Sequence, residues 1–183
     1  MDVPGWSALR PFRRAELTMF FAFTMWLFLV IVAPFTLPSG SVEDLSGKVG
    51  DIDNGELLEQ MNPLARVVYT IGDINCHQLS ERSYYLNENQ MPFCSRDVGL
   101  FIGLVTGLLL IIVLRLRVPI LPLFLLLVPM GVDGVLQLVT DYESSNVLRI
   151  ISGIVGGIGV GMILSWFAHR ALGAEQEASR TAD

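Results

Sequence analysis

No charged residue occurs between Glu16 and Glu43, and the apolar centre of that interval reads LTMFFAFTMWLFLVIVAPFTL over residues 17–37. At about 1.5 Å rise per residue, a run of this length crosses a hydrocarbon layer of about 30 Å as a helix. Three further apolar runs lie near residues 98–114, 118–140 and 150–168, and only the third is interrupted, by Asp133 and Gln137. The basic residues Arg10, Arg13 and Arg14 ahead of the first run also fit a signal peptide, but the run is too long and no small-residue cleavage site follows, so an uncleaved anchor is the better reading. Charged residues make up 16% of the 183 positions and hydrophobic ones 52%, against about 25% charged in a typical soluble protein. That deficit disfavours a water-soluble enzyme. The net charge of -6 and the absence of a Lys/Arg run argue against a nucleic-acid partner.

Short connections join the last three runs: a basic one containing Arg115 and Arg117, then DYESSNVLR. Links of this length place consecutive helices antiparallel. With the N-terminus cytoplasmic, Arg10, Arg13, Arg14, Arg115, Arg117, Arg170 and Arg180 share the cytoplasmic side, in keeping with the positive-inside bias near span ends. The expected fold is therefore all-α: an integral membrane bundle of four transmembrane helices, multi-pass in the plasma membrane, with both termini cytoplasmic. Residues 1–16 form the cytoplasmic N-terminus, 17–168 the membrane domain with an outer segment at 38–97, and 169–183 a cytoplasmic C-terminal tail.

Gly99, Gly103 and Gly107 recur every fourth residue on the second span, and Gly153, Gly156, Gly157, Gly159 and Gly161 bare the fourth. Smooth faces of this kind let helices approach closely in lipid. Packing within one bundle is the first expectation; a homodimer through these glycine-rich faces is the rival. Pro119, Pro122 and Pro129 predict a bend or irregular start in the third span.

In the outer segment, DIDNGE lacks the glycine and glutamate positions of a calcium loop and reads instead as a turn before a short helix, with Asp53 and Glu56 as its capping box. Asn62 as N-cap and Pro63 at the first helical position begin an additional short amphipathic helix, with Leu64, Val67, Val68 and Ile71 on one face. Extended through TIGDINCHQLSERS, that helix would align Asp73, His77 and Glu81. Cys76, His77, Cys94 and Asp97 are candidates to converge, and thiolate, imidazole and carboxylate together suit Zn²⁺. Adjacent Cys76 and His77 cannot both bind without a local bend, so Glu81 could take a ligand position. Two cysteines on the non-cytoplasmic side also suit a simple disulfide.

Asp133 and Gln137, four residues apart, share a helix face near the outer end of the third span. Charged side chains in apolar spans usually face a bundle interior or a watery cavity. Arg82, Arg96 and Arg149 fall at the same end. Two readings stay open. Asp133 pairs with one of those arginines and ties helices together, or it joins Gln137 and Glu81 as a catalytic group while Arg82, Arg96 and Arg149 hold an anionic substrate.

The stretches CHQLSERS at 76–83, MPFCSRDVGLFIG at 91–103 and GVDGVLQL at 131–138 resemble the domain of unknown function 2085 family of small predicted prokaryotic membrane proteins. Its pattern has a Cys-His-Gln element and then Cys-x-Arg-Cys; the matching positions are Cys76, His77, Gln78, Glu81, Arg82, Cys94 and Arg96, together with Asp133, Gly134 and Gln137. Asp97 stands where the second cysteine of the later element would be. The resemblance implies a metal-capable Cys/His cluster and supplies no substrate. The leading functional expectation is a metal-dependent hydrolase or transferase acting on a lipid-like substrate from the bilayer, through a one-sided pocket at the outer face. A small-solute or ion transporter, and a structural or assembly protein with a disulfide, are the alternatives.

Overall fold

The computed structural model describes the backbone of residues 10–116 and 118–182 and the side chains of residues 13–116 and 118–174. Residues 1–9 of the expected cytoplasmic N-terminus, Arg117, and the side chains of Arg10 and Arg180 lie outside the described residues. The chain is predominantly helical, and four helical stretches are long and apolar enough to cross a membrane: Arg13–Thr36, Ser95–Leu114, Ile120–Val139 and Asn146–Ala174.

The first span is α1 (Arg10–Val32), closed by a 3-10 turn at Ala33–Thr36 whose start coincides with Pro34. Two helices between the first and second spans follow, α2 (Gly55–Gln60) and α3 (Pro63–Asn75). The second span is α4 (Ser95–Leu114), ended by Arg115 in the left-handed conformation (φ 51°). The third span is broken into α5 (Ile120–Leu125) and α6 (Val128–Val139). Pro129, in the first turn of α6, has no amide hydrogen to continue the ladder, which explains the bend. The fourth span belongs to α7 (Asn146–Ala182), which starts before the apolar run and continues through the expected C-terminal tail.

The tightest pairing is α4 against α7. A Cβ on Gly103 would strike the Ile154 carbonyl and Gly157 Cα, and one on Gly157 would strike the Leu100 carbonyl, so the two glycine ridges face each other within one chain. This is the first of the two expected packings: each ridge is covered by the other within one chain. Gly156 and Gly159 instead receive Met130 and Leu126 of the third span. Helix α1 packs mainly on α4, with Trp26, Phe93 and Phe101 meeting edge to face at 5.2–6.3 Å between ring centroids.

The segment between the first and second spans is tied down by two fully buried amides. Asn89 donates to the Pro34 and Pro38 carbonyls and accepts from the Val42 amide, while Gln90 accepts from the Leu45 amide and donates to the Gln78 carbonyl. These residues form β2 (Asn89–Gln90), which pairs with β1 (Tyr85–Leu86). Asn87 and Glu88 at the turn both have positive φ, 54° and 59°, the conformation of a tight two-residue hairpin.

Two outer-segment expectations need correction. The N-cap of α2 is Asn54 rather than Asp53, and Asp53 instead accepts from the Lys48 amide. On α3, Asn62 caps as expected, accepting from the Leu64 and Ala65 amides at 3.1 Å each. Its apolar residues divide, however: Val68 is buried with Ala65 and Tyr69, whereas Leu64, Val67, Ile71 and Ile74 are exposed.

Candidate metal and anion site

Helix α3 does not continue through Glu81. It stops at Asn75, and Cys76 is already extended (φ -137°, ψ 145°), its amide closing the last turn on the Gly72 carbonyl. Gln78, buried and left-handed at φ 46°, donates from its side chain to the Pro92 carbonyl at 2.8 Å, which turns the chain back toward the start of α4. The expected alignment of Asp73, His77 and Glu81 is therefore absent. Asp73 is buried elsewhere and accepts from both the backbone and side chain of Asn54.

The same turn brings Cys76 beside Cys94, the N-cap of α4, and Asp97 in that helix's first turn. One ligand atom from each of Cys76, Cys94 and Asp97 lies within 4.8 Å of the other two. Cys94 Sγ is 3.2 Å from Asp97 Oδ2. Both thiols are free, so the disulfide alternative is not formed in the structure. Hydrogen bonding from Cys94 holds Cys76 below the ordinary thiol range, while that same bond, then burial and the Asp97 carboxylate, push Cys94 up. Two sulfurs and a carboxylate at these separations could coordinate a metal ion, and three protein ligands would leave a coordination position open.

His77 lines the neighbouring cavity but is exposed and does not join the three converging atoms. The physical reason is the extended backbone: with alternating side-chain directions, Cys76 turns inward and His77 outward. Glu81 stays at the rim, 3.7 Å from Arg82, and does not line the cavity.

That cavity, about 220 Å³, is bordered by Cys76, Cys94 and Asp97 together with Arg82, Arg96, Gln137 and Arg149. Asp133 lies behind its wall. One Asp133 oxygen receives both the Arg96 guanidinium and the Gln137 amide, and its other oxygen, Oδ1, is buried without a partner among the described residues. Of the arginines considered from sequence, Arg96 is thus the one that forms an ion pair with Asp133. Arg149, only 4% exposed, donates instead to neutral oxygens: Asn146 Oδ1 at 3.0 Å and Gln137 Oε1 at 3.3 Å.

Sequence reasoning missed the residues that join these pieces. Ser95 Oγ lies 2.8 Å from both the Arg82 carbonyl and Asn146 Oδ1, linking the segment after Cys76 to the starts of α4 and α7. Its adjacency to Cys94 was the available signal. At the opposite end of the bundle, buried Glu16 accepts from Ser165 at 2.7 Å and lies 2.8 Å from His169 Nε2, pinning α1 to α7.

The pattern of the family described as "Predicted membrane protein (DUF2085)" matches residues 76–163, a range that contains every residue bordering the cavity except Asn75. An uncharacterized protein of Methanocaldococcus jannaschii is 33% identical over 98 residues, covering 51% of this chain and 63% of that relative. An uncharacterized protein of Methanothermobacter thermautotrophicus is 35% identical over 100 residues, 53% of this chain and 90% of that relative. No solved structure matches the chain significantly. The shared segment carries the second and third spans, the first part of the fourth and the whole Cys/Cys/Asp cluster, and on these matches the chain belongs to the DUF2085 family of predicted membrane proteins.

Proposed function

We propose that this multi-pass membrane protein is a metal-dependent hydrolase or transferase that acts on a lipid-like substrate at the outer face of the plasma membrane, with both termini in the cytoplasm. The observation that carries the reading is one cavity with a potential metal cluster on one wall and three arginines on the others. Zn²⁺ suits Cys76, Cys94 and Asp97, and would supply Lewis acidity in a site that keeps a position open. Arg82, Arg96 and Arg149 hold the substrate's anionic group.

Gln137 borders the cavity, whereas Asp133 does not. Asp133 therefore acts as a positioning residue, orienting Arg96 and Gln137, rather than as a base in direct contact with substrate. His77 and Glu81, at or near the rim, are placed to move a proton between the site and solvent. The cavity opens at one end of the bundle, and the opposite polar cluster of Glu16, Ser165 and His169 is not part of its lining. This supports a one-sided site over a conduit. Val135, Leu138, Val139 and Leu148, sequence neighbours of Gln137 and Arg149, are exposed apolar side chains, which suits entry of a substrate with a hydrocarbon end from the bilayer.

Elemental analysis of protein purified without a histidine tag tests the reading, with about one zinc per chain expected. Cys94→Ser and Asp97→Asn should lose most of that metal, while Gln137→Ala should keep it and lower turnover of phospholipid or lipid-linked substrates. Metal-free wild-type protein with a Cys76–Cys94 disulfide would overturn the assignment.

A further inference from the structure

The arginines bordering the cavity are unequally neutralised. Arg82 has Glu81 at the rim and Arg96 has Asp133 behind it, but Arg149, the most buried of the three, forms no ion pair among the described residues. Its two hydrogen bonds, to Asn146 and Gln137, use one proton from each terminal nitrogen. The Nε proton is buried and unpartnered. A guanidinium has five N–H donors, so Arg149 retains unused donors at the cavity wall. Its hydrogen bonds go to neutral acceptors, and the charges of Arg82 and Arg96 act on it more strongly than that of Asp133, which Arg96 already engages, so this buried cation is costly unless a further anion completes it.

The shape of the arrangement narrows the anion. A carboxylate is planar and is satisfied edge-on by a single guanidinium fork, whereas a tetrahedral phosphate presents oxygens in several directions. Here the guanidiniums come from three separate chain segments: the 3-10 turn at Ser80–Arg82, the first turn of α4 and the first turn of α7. We infer that Arg149 is the seat of a phosphate group in this cavity, with Arg82 and Arg96 closing on its other oxygens. As the identity of the substrate's head group, this rests on the enzyme reading above. As an anion site it needs no metal.

Saturation binding of inorganic phosphate to the full-length protein in detergent micelles, with metal content measured on the same samples, tests the assignment. Arg149→Gln should weaken phosphate binding by about 10-fold or more, the loss expected for charge-assisted hydrogen bonds. Asn146→Asp guards against simple misfolding. It keeps an oxygen for Arg149 and Ser95, gives up only the exposed bond to the Glu81 carbonyl, and supplies the missing internal counter-charge. That variant should melt at or above the wild-type temperature yet bind phosphate about 10-fold more weakly. Cys94→Ser should lose metal and keep phosphate affinity.

Saturable wild-type binding with both weakened variants supports the seat. No saturable binding, or wild-type affinity in both Arg149→Gln and Asn146→Asp, overturns it. Metal without phosphate removes this inference and leaves the metal reading standing; phosphate without metal does the reverse. Nanodiscs containing phosphatidic acid, compared with phosphatidylcholine alone and with free glycerol phosphate, separate the sources. Preferential retention of phosphatidic acid identifies a lipid head group, and binding of glycerol phosphate alone identifies a soluble phosphomonoester.

Discussion

Asp133 and Arg96 show how a single polar pair shapes this protein. Asp133 is 6% exposed inside the third span, and its partner comes from the first turn of the second. Removing one member leaves an uncompensated buried charge, whereas replacing both with apolar side chains removes the desolvation penalty as well. Arg96→Met, which strands the buried carboxylate, should lower stability by about 3–5 kcal/mol, Asp133→Leu by less because Arg96 is a quarter exposed at the cavity, and the double variant should recover much of the Arg96→Met loss. Thermal melting in detergent checks it, and a double variant no better than Arg96→Met would refute the pairing. The residue types of this pair were legible because a charge in an apolar span demands a partner. Which arginine would be chosen was not, since three fall at the same end of the bundle.

At the level of elements, the α4–α7 interface depends on the absence of side chains. Gly99, Gly103 and Gly107 meet the backbone around Ile150, Ile154 and Ile158, while Gly153, Gly157 and Gly161 meet that of Arg96, Leu100 and Leu104. Backbone approach of this kind maximises van der Waals contact where lipid offers no hydrophobic driving force. Gly103→Leu should force the helices apart, lower the melting temperature, and loosen the cavity, because Cys94 and Arg96 ride on α4 and Arg149 on α7. Gly131→Ala is the control: a Cβ there meets nothing nearby. Equal melting temperatures for the two variants would show that the interface does not need its glycines. The four-residue spacing announced a close-packing face in the sequence. Its partner could not be read, because an identical ridge suits either a neighbour in the chain or a second copy.

For the whole molecule, the directional prediction concerns which side of the membrane the cavity faces. In a Cys76→Ser/Cys94→Ser background, Ile52→Cys should react with an impermeant thiol reagent added outside intact cells or spheroplasts, and Leu116→Cys should react only after permeabilisation. Both positions are exposed. The reverse pattern would place the cavity on the cytoplasmic side. The third span leans on α7 through α5 and α6 and exposes Leu121, Leu125 and Leu138 outward, so it is the most peripheral of the four. Its polar ties at the cavity end run through Asp133 and Gln137.

The linear chain by itself determined the spans, their bend and the end of the bundle at which polar groups gather, because hydrocarbon thickness, proline chemistry and the cost of buried charge all act locally along a helix. It also named Cys76, His77, Cys94 and Asp97 as a candidate ligand set. Tertiary structure alone decided that His77 turns away from the other three, that Asp133 sits behind the cavity wall, and that Arg149 forms no ion pair among the described residues. The first outcome depends on where α3 stops and on the left-handed turn at Gln78, held by the Pro92 carbonyl 14 residues later, and the other two on the contacts of α6 with Arg96 and Arg149. The hydrogen bond that chooses between inward and outward for each side chain spans segments whose separation along the sequence carries no trace of their contact.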